Sequence, residues 1–190
     1  MAAGPHLHGR GRLARGAAAA VATYLHRLLD SLKLHYLAAH LDDLNAEATR
    51  NRWGAQEIVE ALVQREMEER QRRSVERRLR DARIGKFSPI ASFDWTWPTH
   101  IDREHIGRLL TLAFMNDSDN VILAAAQGLG KTMVAKNIAY KAVLAGHMVL
   151  FTTAGAMLLD LSDGPRALQS RIRKYTAPRL LVVDEVGYLS

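Results

Sequence analysis

The pattern of hydrophobic and polar positions predicts a helical first half of the chain. Apolar residues recur at helical spacing at Leu25, Leu28, Leu29, Leu32 and Tyr36. This spacing predicts an amphipathic helix over roughly residues 18–40. Asp42 or Asp43 can cap a short second helix, whose apolar side would carry Leu44.

A third helix is predicted to begin at Gly54 and to end at Gly85. With Gly54 as the N-cap, Glu57 occupies the third helical position, where its carboxylate can accept a hydrogen bond from the backbone of the cap residue. The apolar face of this helix starts with Ile58, Val59, Leu62 and Val63. It then fades into an arginine-rich stretch, so the second part of the helix has little apolar surface to bury.

The second half of the chain alternates short apolar runs with helical segments, which is typical of a parallel α/β sheet. The predicted strands are residues 121–125, 147–152 and 180–183. The first and last are expected to be buried. Between the first two strands, residues 133–145 show helical spacing and Gly146 serves as a helix stop. A short helix follows near residues 156–161, and Pro165 is predicted to open another at its first position.

Residues 87–119 are predicted to be a linker followed by an adaptor helix. The linker carries the aromatic residues Phe87, Phe93, Trp95 and Trp97. These side chains can either pack on the domain that follows or border a pocket for an adenine base. Helical spacing from Ile106 to Phe114 predicts the adaptor helix, which ends at Asn116.

Composition adds limits to this picture. The chain of 190 residues has no cysteine, and no apolar run approaches the length of about eighteen residues that a membrane span needs. We therefore expect a cytoplasmic protein that has no membrane partner. The predicted organisation is a disordered basic tail (1–16), a helical region (17–86), the linker and adaptor helix (87–119) and an α/β core (120–190).

The sequence Gln127-Gly128-Leu129-Gly130-Lys131-Thr132 lies between a predicted strand and a predicted helix, which is the context of a phosphate-binding loop. Glycines lack a Cβ, so the backbone can curl and direct several N–H groups at phosphate oxygens. Lys131 can reach the β- and γ-phosphates of ATP, and the Thr132 hydroxyl can ligate Mg²⁺. The predicted cofactor-binding residues are Gln127, Gly128, Leu129, Gly130, Lys131, Thr132 and Met133.

One position departs from the G-x-x-x-x-G-K-[ST] pattern, which has glycine where this chain has Ala125. If the loop requires a positive φ at this position, alanine costs about 1–2 kcal/mol. If the backbone is extended there, alanine costs little. The strength of nucleotide binding therefore depends on the conformation of Ala125.

Asp184 and Glu185 follow the last predicted strand, at the end where α/β sheets bind ligands. Asp184 can hold Mg²⁺ together with Thr132, and Glu185 can orient and deprotonate an attacking water as the catalytic residue. An acidic pair after a core strand can also be a plain surface feature. The phosphate loop upstream favours the catalytic interpretation.

The net charge of +6 is concentrated in the arginine-rich part of the third helix. The candidate DNA-binding residues are Arg70, Arg72, Arg73, Arg77, Arg78, Arg80 and Arg83. They can form a solvated helix face, or they can contact the phosphate backbone of DNA. Phosphate contacts give affinity without sequence preference, so we expect binding to DNA that is not sequence-specific.

Taken together, these motifs resemble the IstB-type transposition helper ATPases, relatives of the DnaC-type helicase loaders within the AAA+ class. The resemblance rests on residues 66–83, Phe93-Asp94, residues 128–132, residues 146–154 and residues 181–189. It implies a P-loop NTPase fold with a parallel sheet, preceded by a helical region. It also implies an ATP- and Mg²⁺-dependent protein that binds DNA, forms homo-oligomers and assists a separate transposase.

In the fold that this resemblance implies, a further strand lies between the strand before the phosphate loop and the strand that ends at Asp184. That strand, a polar sensor residue and an arginine finger would all follow residue 190. We therefore expect an incomplete sheet and a C-terminally truncated copy that binds ATP weakly and hydrolyses it poorly.

Two other functions are compatible with the same residues. A helicase loader would use the same ATPase motifs but would act on a replicative helicase. A non-catalytic fragment built on residues 18–86 would bind DNA or a protein partner without any contribution from Lys131.

Overall fold

The computed structural model describes residues 23–97, 100–164 and 167–188. The predicted tail at 1–16 and the predicted helix start at Pro165 lie outside these residues. The chain divides into two compact units, residues Met1–Arg72 and Arg73–Ser190. Among the described residues, no helix is both long enough and apolar enough to cross a membrane.

The first unit is helical, as predicted, but the helix expected over residues 18–40 is interrupted within the described residues. Helix α1 covers residues 23–31, and helix α2 runs from His35–Asn51. The chain leaves α1 through a left-handed turn at Lys33, with φ 58°. The N–H of Leu34 then donates to the carbonyl of Leu29 at 2.8 Å, which caps the end of α1. The prediction of one helix over residues 18–40 is therefore wrong.

Helix α2 also replaces the short helix that was expected to begin at Asp42 or Asp43. Both aspartates lie inside α2, which bends at His40, where φ is −119° and ψ is 15°. The buried side of α2 consists of Leu37, Ala38, Leu41, Leu44 and Ala48. This apolar face, rather than a capping side chain, determines where the helix lies, because it can be buried only as a continuous stripe.

Helix α3 (Ala55–Ala82) begins where the sequence predicted. The N–H of Gly54 donates to Glu57 Oε2 at 2.6 Å, so Glu57 satisfies the backbone of the cap residue. At the other end, the left-handed residue is Arg83, with φ 55°, two positions before the predicted stop at Gly85. The predicted apolar face divides, since Ile58 and Leu62 are half-buried whereas Val59 and Val63 are 58% and 53% exposed.

Helix α2 and the first part of α3 are joined by polar contacts. The buried carboxylate of Glu66 accepts a hydrogen bond from the N–H of Leu37 at 3.2 Å. Arg65 donates two hydrogen bonds of 2.8 Å to the two carboxylate oxygens of Glu47. Helix α2 and the first part of α3 therefore have a defined pairing.

The second unit contains the end of α3 and a small α/β arrangement. Its later elements are α4 (Arg103–Leu110), α5 (Lys131–Leu144), β1 (Val149–Thr153), α6 (Ala154–Ser162), α7 (Leu168–Thr176) and β2 (Leu180–Asp184). Strands β1 and β2 pair in parallel, with Val149 beside Leu180 and Thr153 beside Asp184. Short 3-10 turns occupy Ile90–Ser92, Ala113–Met115 and Val186–Tyr188.

The apolar run at residues 121–125 is not a strand, which corrects the prediction. It alternates as a half-buried strand would, because Val121 and Leu123 are partly buried while Ile122 is 88% exposed. A strand also requires a hydrogen-bonded neighbour, and the described residues contain only the two-stranded sheet of β1 and β2. For the same reason β2 is half-buried, not fully buried as expected.

Helix α5 lies between two apolar clusters. On one side, Ala139, Ala142 and Val143 are completely buried in a cluster that includes β1. On the other side, Val134 and Ile138 belong to a cluster with residues of the linker and of α4. The helix ends as predicted at Gly146, whose φ is 96° and whose N–H donates to the carbonyl of Val143 at 3.0 Å. Helix α5 is thus held from both sides.

Candidate functional site

The glycine-rich loop leads directly into helix α5. Gly128 and Gly130 have φ values of 82° and 84°, in the left-handed region that glycine adopts most readily. Gly130 is the N-cap residue of α5, and its carbonyl accepts the N–H of Val134 at 3.0 Å. The loop therefore presents its backbone at the N-terminus of a helix of fourteen residues, where backbone N–H groups and the helix dipole favour an anion.

Ala125 does not disturb this loop. It is not among the described non-glycine residues that have a positive φ. The strain that a left-handed alanine would carry is therefore absent. Alanine in place of the glycine of the pattern therefore adds no backbone strain at this position.

Lys131 folds back over the loop. Its Nζ donates hydrogen bonds of 2.7 Å to the carbonyl oxygens of Ala125 and Ala126. The ammonium group thus lies against the loop backbone, from which it can exchange these carbonyls for phosphate oxygens. Gln127 is exposed, whereas Leu129 and Met133 are half-buried.

Thr132 connects the loop with the end of strand β2. Its Oγ1 donates to Asp184 Oδ2 at 2.8 Å, across 52 residues of sequence. A hydroxyl and a carboxylate oxygen are the kinds of ligand that Mg²⁺ prefers. No group of three or more His, Cys, Asp or Glu side chains that could hold a metal occurs in the described residues. These two residues therefore fit a Mg²⁺ ion that takes its other ligands from phosphate and water.

Glu185 occupies a strained position directly after Asp184. Its φ is 58°, and its N–H donates to Asp184 Oδ1 at 3.0 Å. A non-glycine residue in a sparsely populated backbone region costs about 1–3 kcal/mol and such residues cluster at functional sites. The Glu185 residue is exposed, so its carboxylate is accessible to water.

Some arginines of the arginine-rich stretch form hydrogen bonds with neighbouring side chains, whereas others, which we call unengaged, form none within the described residues. Arg70 bonds Glu66 at 3.0 Å, Arg72 bonds Glu69 at 2.8 Å, and Arg78 bonds Ser74 at 2.7 Å. Arg73 is exposed. Arg77, Arg80 and Arg83 are also exposed, and their side chains make no hydrogen bond or ion pair within the described residues.

Two features of this region were not predicted from the sequence. The ring of Phe93 is buried and lies against Gly130, and the buried amide of Asn137 fastens the linker to α5. The aromatic residues of the linker indicated that its rings have a role. They left open whether the rings pack on the domain or border a base. Phe87 and Phe93 pack, with Phe87 lying 5.4 Å from the ring of Tyr140, whereas Trp97 is 65% exposed.

A separate ionic cluster joins α6 to α7. Asp160 accepts hydrogen bonds from Lys174 Nζ at 2.6 Å and from Tyr175 Oη at 2.7 Å. The bond from Lys174, and then that from Tyr175, lowers the pKa of Asp160. The bond to Asp160 raises the pKa of Lys174, and desolvation is the main cause of the raised pKa of Tyr175.

The loop, the helix that it opens and the carboxylate that Thr132 contacts form the arrangement of a P-loop nucleotide-binding protein. Residues 27–190 match the profile of the family described as "IstB-like ATP binding protein". Because this match covers most of the chain, the chain belongs to that family. The resemblance inferred from the motifs is therefore confirmed.

Several curated proteins are similar to the chain over most of its length. It is 34% identical over 164 residues to a Pseudomonas aeruginosa protein named as an ATP-binding protein of insertion sequence IS21, covering 85% of this chain and 62% of that protein. It is 28% identical over 167 residues to one named for insertion sequence IS5376 in Geobacillus stearothermophilus, with 87% and 66% covered.

A third relative is an insertion-sequence ATP-binding protein of Mycobacterium tuberculosis, 31% identical over 163 residues, with 85% of this chain and 65% of that protein covered. The chain therefore spans just under two thirds of the length of these three relatives.

Proposed function

We propose that this protein is a helper ATPase of DNA transposition, which binds Mg-ATP at the glycine-rich loop and acts with a separate transposase. The observation that carries the proposal is the hydrogen bond of 2.8 Å between Thr132 and Asp184. It joins the two motifs that a P-loop nucleotide site needs. Membership of the IstB-like family supports ATP as the nucleotide.

In this proposal the backbone of residues 127–130 binds the phosphates of the nucleotide, and the left-handed conformations of Gly128 and Gly130 are compatible with a loop that curls around an anion. Lys131 contacts the terminal phosphates after it releases the carbonyls of Ala125 and Ala126. Thr132 and Asp184 hold Mg²⁺, which neutralises phosphate charge when it is bound.

Glu185 is the proposed general base for ATP hydrolysis. It lies next to the proposed metal ligand Asp184, and it is exposed to water. Its left-handed backbone places it away from the regular path of β2. A carboxylate in this position can orient a water molecule and accept its proton.

DNA contact is assigned to the arginine-rich stretch of α3 and to Arg83 just beyond it. Within the set of seven arginines, Arg77, Arg80 and Arg83 support this role most directly, because their charges are exposed and have no partner in the described chain. Cations at successive helical turns can neutralise phosphates of one DNA backbone. Such contacts fix the position of the protein on DNA without reading its sequence.

The proposed protein partners are a transposase and further copies of this chain. The relatives are named for insertion sequences, which favours transposition over helicase loading. Co-purification with a transposase from an insertion sequence tests the assignment. Capture of a replicative helicase in place of the transposase would favour the loader function.

Titration calorimetry with ATP in the presence and absence of Mg²⁺ tests the nucleotide site. Thr132→Val and Asp184→Asn should each weaken Mg-ATP binding by about 10- to 100-fold, because each variant removes the hydroxyl or the carboxylate charge proposed to hold Mg²⁺. Thr111→Val is the matched control, because its hydroxyl bonds only the backbone carbonyl of Arg108. Binding of equal strength in wild type and Asp184→Asn would contradict the proposed metal site.

A further inference from the structure

A segment of the linker follows the first turns of α5. The amide of Asn137 is buried, and its Oδ1 accepts the N–H of Ile90 at 2.8 Å. Its Nδ2 donates to the carbonyl of Ser88 at 3.0 Å and to that of Met133 at 2.8 Å. Lys136 Nζ donates to the carbonyl of Lys86 at 3.1 Å. Residues 86–93, which we name the strap, are therefore fastened to the helix that begins at Gly130.

The strap ends in a ring that covers the phosphate loop. Phe93 is only 8% exposed and belongs to the cluster with Leu109 and Val134. A Cβ placed on Gly130 would lie 2.5 Å from Cε2 of Phe93 and 3.1 Å from its Cζ. No real Cβ tolerates the shorter distance, so the ring occupies the space that a side chain at this position would need.

The two left-handed glycines of the loop differ in the space that is available for a side chain. Gly128 and Gly130 have nearly the same φ, 82° and 84°, so a side chain would strain the backbone about equally at both. A Cβ on Gly128 would meet no atom within 4 Å. Of the two glycines, the ring of Phe93 therefore lies against Gly130 and not against Gly128. Gly130 is the N-cap residue of α5.

We propose that Phe93 is a positioning residue for nucleotide binding, which holds Gly130 in the conformation that aims the loop at phosphate. This inference rests on the proposed function as an ATP-binding protein. Asn137 holds the strap, the apolar cluster holds the ring, and the ring fills the space beside Gly130 that a side chain there would need. Preorganisation of this kind raises affinity because less of the loop must be ordered when the ligand binds.

The ring acts on the loop and not on the base. Phe93 is enclosed by apolar neighbours, and its edge faces Gly130. Loss of the ring should therefore weaken binding of any ligand that the loop holds by its phosphates. Inorganic tripolyphosphate has the phosphates of ATP without the base, so it serves as the probe that separates the two roles.

The test measures dissociation constants of Mg-ATP and of Mg-tripolyphosphate for the full chain. Phe93→Ala should weaken both by the same factor, on the order of tenfold. Leu109→Ala is the matched control, because Leu109 is equally buried in the same cluster, at 7% exposure, but does not cover Gly130. It should lower the melting temperature and leave both constants within about twofold of wild type. Phe93→Met replaces Phe93→Ala if the latter does not fold.

A double-mutant cycle tests whether the ring of Phe93 acts on Gly130, and the comparison with Leu109→Ala separates this action from general packing. In the wild-type background Gly130→Ala should weaken tripolyphosphate binding more than Gly128→Ala, and in the Phe93→Ala background the two should weaken it equally. Loss of ATP binding but not of tripolyphosphate binding in Phe93→Ala would overturn the inference in favour of base contact. Equal effects of Phe93→Ala and Leu109→Ala would overturn it in favour of packing alone. A wild-type chain that binds neither ligand would overturn the proposed function, and the inference with it.

Discussion

Helices α3 and α5 differ in how much of their surface is buried. Helix α5 is packed on two sides, and Ala139, Ala142 and Val143 have no exposed surface. In α3, which is twice as long, only Glu66 and Ala82 are buried. The difference teaches that a nucleotide site needs a fixed helix start, whereas contact with a charged polymer needs accessible side chains more than it needs rigidity.

The polar groups of the two helices also differ, in whether they have hydrogen-bond partners. At the start of α5, Lys131 and Thr132 each have defined partners, and both glycines adopt left-handed conformations. On and just after α3, Arg77, Arg80 and Arg83 have none within the described chain. Three experiments test this contrast and a fourth tests the ionic cluster between α6 and α7, in order from the largest expected effect to the smallest.

Removal of the loop ammonium should abolish the response to nucleotide. At a ligand concentration of a hundred times the dissociation constant, binding stabilises a folded protein by about 2.7 kcal/mol. Thermal melts should therefore shift upward with Mg-ATP in wild type and remain unshifted in Lys131→Ala. Lys141→Ala, an exposed lysine of the same helix, is the control and should keep the shift. A retained shift in Lys131→Ala would mean that ATP binds elsewhere.

Removal of the same two methyl groups should have very different effects in the two helices. Val143 is completely buried in α5, so Val143→Ala should lower the free energy of unfolding by about 2 kcal/mol. Val63 is 53% exposed in α3, and Val63→Ala should change it by less than about 0.5 kcal/mol. Urea denaturation midpoints measure both. Similar losses would show that the exposed side of α3 is covered in solution.

Loss of the unengaged arginines should reduce DNA affinity and its salt dependence together. The triple variant Arg77→Ala, Arg80→Ala, Arg83→Ala should bind duplex DNA about tenfold more weakly, and the slope of log K against log salt should fall by about 2.7. Arg108→Ala is the control, because Arg108 is paired with Glu104 at 2.7 Å. An unchanged slope would assign these arginines to the solvated face of the helix.

The smallest effect concerns the cluster of Asp160, Lys174 and Tyr175. Hydrogen bonds from Lys174 and Tyr175 lower the pKa of Asp160, so the cluster stabilises the fold above the unfolded-state pKa of about 3.9 and loses this effect as the pH falls. Asp160→Asn should lower the melting temperature at pH 7, and the difference from wild type should narrow toward pH 3. A difference that is independent of pH would show that the carboxylate charge does not matter.

Some elements follow from local sequence because their physical causes are local. Gly54 and Glu57 mark the start of α3, and Gly146 marks the end of α5, since each depends on a few adjacent backbone groups. The break after α1 was missed because the left-handed residue is Lys33, a residue type that gives no signal for such a turn. The strand at residues 121–125 was predicted wrongly because a strand also depends on a neighbour that its own sequence does not specify.

The sequence by itself determined the residue types of the candidate site and the family to which the chain belongs. Glycines, Lys131 and Thr132 occur at fixed spacing, and Asp184 follows an apolar run, so the chemistry could be inferred before any coordinates. Only the tertiary structure decided which groups meet. Thr132 contacts Asp184 across 52 residues, Phe93 covers Gly130, and the side chains of Arg77, Arg80 and Arg83 find no partner among the residues that the structure describes. Contacts between distant segments depend on how helices and strands pack, and a one-dimensional pattern does not contain that information.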